Sequence, residues 1–156
     1  MAQLQKELDF EVKREIWNIY ELRDNSILRF KAVLLKVLRD LKVPEPPRGA
    51  PPGTKTMGLS LNFQNIITVK SPLSLKNKPS GPILPQEMRT LPKTEVKFNP
   101  FYEDWNIYTL EDGTELRVKV NISKIEKVEG KFDNFGNPIY RVNSVPAITV
   151  YPPKKI

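Results

Sequence analysis

An α+β fold is predicted for this chain by three features. These are an N-terminal stretch free of proline and glycine with helical apolar spacing, a proline-rich middle, and a C-terminal third of alternating apolar residues broken by turn signals. The expected organisation is a helical oligomerisation segment over 1–43, a basic proline-rich arm over 44–100 with one or two short strands near 56–70, and an antiparallel β-domain, a small sheet or barrel, over 101–156.

From Leu4 to Val43 no proline or glycine occurs, and Ile27, Phe30, Leu34, Val37 and Leu41 follow a 3-4-3-4 spacing. The same frame runs back through Arg23, Tyr20 and Ile16, with Arg23 its single polar break. A continuous helix of that length would extend about 60 Å, too far for its stripe to lie on one small domain. The stripe formed by Ile27, Phe30, Leu34, Val37 and Leu41 is therefore the predicted oligomer interface, a coiled-coil seam with an identical chain as partner. The alternative is a helical hairpin folded on its own core, with Arg23-Asp24-Asn25-Ser26 as its turn.

Residues 44–100 hold eleven of the chain's fifteen prolines. Proline fixes φ and biases the preceding residue to extended conformations, so this arm should run open, with Leu73, Leu75, Ile83, Leu84, Met88 and Leu91 as apolar punctuation fit for a neighbour's grooves. Within it, Met57, Leu59, Leu61 and Phe63 alternate with small or polar residues, and the phase changes at Gln64-Asn65, which predicts one strand with a bulge or two with a tight turn.

In the last third, Asp112-Gly113 sits between strand-like runs and predicts a hairpin. A two-residue loop would set Trp105, Ile107 and Thr109 against Val120, Val118 and Leu116, and this apolar match favours it over a three-residue loop that sets Asn106 against Val118. Alternation slips after Ile122, predicting a bulge near Ser123-Lys124. Lys131 to Pro138 should form a wider turn with Gly136 at positive φ, and Pro146 marks an edge or bend in the final strand.

The chain contains neither cysteine nor histidine, which excludes disulfides, thiolate nucleophiles, Ser-His-Asp triads and Cys/His zinc sites. The stretch Arg48 to Thr56, RGAPPGTKT, approaches a phosphate-binding loop but places Thr54 between Gly53 and Lys55, and prolines rather than a strand precede it. The acidic pairs Glu103-Asp104 and Glu111-Asp112 are neighbours in sequence, so strand geometry points their members apart. No enzyme activity, metal or cofactor is expected.

Net charge is +7, and its excess lies on the arm, where eight basic residues face three acidic ones. Lys70, Lys76, Lys78, Arg89, Lys93 and Lys97, with Phe101 and Tyr102 as stacking rings, are the nucleic-acid-binding candidates of one functional reading, an RNA-associated factor or transcription regulator. The preferred reading is a structural subunit of a larger assembly, such as a virion shell or multi-protein complex, that self-associates and docks its arm on protein neighbours. The N-terminus lacks a signal-peptide run and no window has the length of a membrane span, so a cytoplasmic or virion location is expected.

Overall fold

The computed structural model describes residues 5–41 and 58–153; the RGAPPGTKT stretch at 48–56 lies outside them. Of the described residues 64% are strand and 7% helical, and the N-terminal region from Gln5 to Asp40 is strand and turn, not helix. The elements are β1 (Gln5–Leu8), β2 (Phe10–Arg14), β3 (Asn18–Leu22), β4 (Ile27–Asp40), β5 (Leu59–Lys70), a short helix α1 (Pro85–Thr90), β6 (Lys93–Glu95), β7 (Phe98–Tyr102), β8 (Asn106–Leu110), β9 (Glu115–Phe132) and β10 (Pro138–Tyr151).

The α+β expectation and the coiled coil fail for a definable reason. Along β4 the buried residues are Leu28, Phe30, Ala32 and Leu34, then Val37 and Arg39, because a bulge at Leu35 shifts the alternation by one. Even positions before a bulge and odd positions after it include 30, 34, 37 and 41, a 4-3-4 spacing, so a bulged strand imitates part of a helical stripe. Phe30, Leu34 and Val37 of the expected oligomer seam are buried in the chain's own core, Ile27 is half-buried at the start of β4, and Leu41 is exposed just past its end. Arg23-Asp24-Asn25-Ser26 does turn the chain, but between strands: Leu22 N–H donates to Ser26 O at 2.9 Å and Asn25 adopts φ 71°.

Two antiparallel five-stranded sheets result. In the first, the long pair β4–β5 carries β1 and β3 on the far side of β4, with β7 beyond β3. In the second, the long pair β9–β10 carries β6 and β8 on the far side of β9, with β2 beyond β8. The chain changes sheet at β1–β2, β2–β3, β5–β6, β6–β7 and β7–β8, which ties the sheets together. The opposite sides stay open at β5 and β10, so the expected barrel does not close.

This arrangement maps onto itself when β1–β5 are replaced by β6–β10, and the sequence carries the same repeat. Trp17-Asn18-Ile19-Tyr20 recurs as Trp105-Asn106-Ile107-Tyr108, and at the same spacing Phe10, Glu15, Leu22, Asp24, Leu28, Arg29 and Lys31 recur as Phe98, Glu103, Leu110, Asp112, Leu116, Arg117 and Lys119. Even the bulges correspond, at Leu35 and at Ser123, the latter as expected.

The halves are interleaved rather than side by side. One buried cluster joins Leu8, Val37 and Leu59 to Tyr108, Leu110, Leu116 and Val118; the other joins their counterparts Val96, Ile125 and Tyr140 to Tyr20, Leu22, Leu28 and Phe30. The Phe10–Tyr108 and Phe98–Tyr20 rings meet edge to face at 5.9 and 5.8 Å. Each core is thus built from both repeats.

The hairpin at Asp112-Gly113 has the longer loop. Asn106 faces Val118 and Tyr108 faces Leu116, Leu110 N–H donates to Thr114 O at 2.8 Å, and Gly113 takes φ 89°. The Asp112 carboxylate accepts the Thr114 N–H at 3.0 Å, and Gly113 closes a three-residue turn that only a left-handed residue fits. This register turns Asn106, Tyr108 and Leu110 inward and leaves Trp105 half-buried. β5 is one continuous strand without the phase change or turn expected at Gln64-Asn65: Ile66 is exposed on the outer face, and the bulge of this pair lies in β4, opposite Asn62 and Phe63.

Candidate protein interaction edge

The polar side chains in the interior are engaged with one another in repeat-related pairs. Tyr20 Oη donates to Glu103 Oε2 at 2.7 Å and Tyr108 Oη donates to Glu15 Oε2 at 2.7 Å. Asn106 Oδ1 accepts the Ile16 N–H at 3.1 Å, and Asn18 Oδ1 accepts the Asp104 N–H at 3.2 Å. Burial first, then the carboxylate partner, raises the pKa of both tyrosines. Asp112 pairs with the buried Arg39 at 2.9 Å, and its counterpart Asp24 with Lys127 at 3.3 Å. Burial alone would raise both carboxyls. Hydrogen bonds from Thr114 and the Arg39 charge outweigh it at Asp112, and bonds from Tyr140, Ser26 and Lys127 outweigh it at Asp24, so both sit below the usual range.

The acidic neighbours are likewise employed in the fold. Glu103 accepts from Tyr20, Asp104 pairs with Arg14, and Glu111 accepts the Asp9 N–H at 2.9 Å. Among the described residues no three metal-ligating side chains converge.

The nucleic-acid candidates are spread over several elements. Lys70 ends β5, Lys76 and Lys78 lie in the connection after it, Arg89 is on α1, Lys93 begins β6, and Lys97 pairs with Glu95 at 3.6 Å. Phe101 is 67% exposed at the end of β7, while Tyr102 accepts a hydrogen bond from Arg14 at 2.9 Å.

What stands open is backbone. Among the described residues β5 pairs only with β4, so one side of a twelve-residue strand faces solvent. In an antiparallel ladder the N–H and C=O of one residue point to the same neighbour, and alternate residues point to opposite ones. Gly58 O accepts from Asp40 on the β4 side, whereas Val69 O accepts Asn137 Nδ2 at 3.1 Å and Ser71 N–H donates to Asn137 Oδ1 at 3.2 Å from the other side. Odd-numbered residues of β5 therefore present their backbone outward. The Asn137 amide occupies one end of that row as a partner strand would, leaving Leu59, Leu61, Phe63, Asn65 and Ile67.

From Leu59 to Val69 this edge carries no charge and no proline. Edge strands are ordinarily blunted by such residues. β10, the repeat mate of β5, is blunted: Pro146, opposite Val120, stands where β5 has Asn65 opposite Ala32. Beside the Asn137 end lies a cleft of about 490 Å³, lined by Ile67, Val69, Phe135, Pro138 and Tyr140 among others, with Phe135 80% exposed at its rim. Gly136 shapes this rim, since a Cβ there would come within 2.8 Å of Asn77 O. Periodicity locates β5 but not its open side, because pairing partners are a property of the whole fold.

The chain matches no family model, and no curated protein or solved structure is similar to it. Among the described residues no helix is long and apolar enough to cross a membrane.

Proposed function

We propose that this chain is a non-enzymatic structural subunit of a larger assembly, such as a virion shell or a multi-protein complex, in the cytoplasm or in a virion. The observation that carries this reading is the unguarded edge of β5, a long uncharged strand with an unpaired backbone row beside a fold whose other long edge is blocked by proline. Strand addition at such an edge supplies main-chain hydrogen bonds for affinity and alternate side chains for specificity. The connection after β5 contributes further apolar contacts, with Leu73 85% and Leu84 51% exposed. Both features serve contact with protein neighbours, and the interior polar groups are consumed in holding the repeats together.

The test is the native size of the tagged chain in gently lysed cells that make it. Migration far above the chain's 18.0 kDa is expected. Migration as a free monomer at every stage of production would overturn the reading.

A further inference from the structure

Resting on that reading, we infer that the occupant of the β5 edge is a second copy of this chain, paired antiparallel β5 to β5 about a two-fold axis at Gln64. Three observations support this partner and this register.

The first is charge. The chain carries +7, and copies repel wherever basic surface meets basic surface, yet Leu59 to Val69 is free of charge. Lys70 is the one cation on the strand, and in the antiparallel pair the two copies of Lys70 lie at opposite ends, about 40 Å apart at ~3.3 Å per residue.

The second is the extent of the free row. Asn137 holds Val69 O and Ser71 N–H, so among the described residues of the strand the odd positions not engaged by it are Leu59, Leu61, Phe63, Asn65 and Ile67. A two-fold at Gln64 pairs Leu61 with Ile67 and Phe63 with Asn65 in both directions and sets Leu59 against Val69, of which Asn137 holds the carbonyl. On the solvent face it sets Gln64 against itself and Asn62 against Ile66, with no like charges opposed.

The third is the asymmetry between the edges. A chain pairing β5 to β10 of the next copy would make a head-to-tail contact and propagate. Pro146 in the middle of β10 lacks the N–H that such pairing needs, whereas β5 to β5 is self-complementary and closes at two copies.

The absence of native cysteine makes the register directly testable in the full chain. Across the axis Gln64 and its counterpart form a non-hydrogen-bonded pair with Cα atoms about 4.5 Å apart, within the range a disulfide spans. Thr68 lies about 26 Å from its own counterpart in this register, at ~3.3 Å per residue. Under mild oxidation Gln64→Cys is expected to give a covalent dimer and Thr68→Cys none, while the wild-type chain sediments as a dimer at tens of micromolar. Gln64→Lys, on an exposed position, should weaken that dimer about fivefold or more while leaving the circular dichroism spectrum unchanged. A chain that stays monomeric when pure, or cross-links equally through Thr68→Cys, overturns the inference. If the pure chain is monomeric yet runs in a large particle in cells, self-pairing alone is lost; if it is monomeric in both, the assembly reading falls as well.

Discussion

Tyr20 and Tyr108 are the side chains on which the interleaving turns, because each hydroxyl reaches a glutamate that belongs to the other repeat. Both rings are almost fully buried, so the folded chain holds each phenol proton more tightly than the unfolded chain does. The stability this contributes is complete below the ordinary phenol value near pH 10 and is lost as pH rises above it, at about 1.4 kcal/mol per pH unit for each tyrosine. Tyr140, raised to about 12 by burial and by its bond to Asp24, adds to the same fall. At the acid end the sign reverses: Asp24 and Asp112 are held below their usual range, so their contribution is full above about pH 4 and drains away as pH falls further. Replacing Tyr108 by Phe should cost about 1–2 kcal/mol at neutral pH, through loss of one of the two hydrogen bonds that Glu15 Oε2 accepts, the other coming from the Leu34 N–H, and make the alkaline decline shallower. Urea titrations of the two proteins at pH 7 and pH 11 measure both effects. An unchanged alkaline slope would show that Tyr108 does not carry the linkage.

The strands show which parts of the fold were legible in the sequence. The turn at Asp112-Gly113, the bulge at Ser123, the left-handed Gly136 and the edge position of β10 all follow from local chemistry, and the structure has each of them. The first half of the chain uses the same devices in disguise. Asn25 takes the left-handed turn position that Gly113 fills in the second repeat, and the buried Arg39 stands on an inward position where alternation calls for an apolar residue. With the Leu35 bulge, these substitutions convert a two-residue period into an apparent helical one. The bulge is accordingly a folding requirement rather than an irregularity. Leu35 is itself 50% exposed, so Leu35→Ala should change stability by less than about 1 kcal/mol. Deleting Leu35 instead puts Val37 and Arg39 on the solvent face, removing a fully buried side chain and the Asp112 ion pair together. Soluble expression and a cooperative thermal transition are expected for the substitution and neither for the deletion; a deletion variant that melts like wild type would refute the role given to the bulge.

For the molecule as a whole, the repeated Trp-Asn-Ile-Tyr signature was the most informative feature in the sequence, and it becomes visible only when one half is laid on the other. Periodicity read window by window assigns the two copies to different secondary structures, because their flanks differ in turn residues and charge. Laid together, they describe two copies of one five-strand unit that exchange strands: β2 of the first repeat completes the second sheet beside β8, and β7 of the second completes the first sheet beside β3. Neither unit owns a core, since each buried cluster draws residues from both. The covalent link between repeats, residues 71–92, contains only a 3-10 turn and α1, and its residues contribute no member to either buried cluster. Cutting the chain there, at the exposed Gly81, should therefore leave the fold intact as a non-covalent pair, with a stability loss set mainly by the concentration of the two pieces. Co-expressed halves, only one of them tagged, are expected to purify together in equal amounts with the circular dichroism spectrum of the intact chain. A half that folds by itself as a stable monomer would contradict the interleaved core, because it would have to bury Tyr20, Leu22 and Leu28, or Tyr108, Leu110 and Leu116, without the opposite repeat that covers them here.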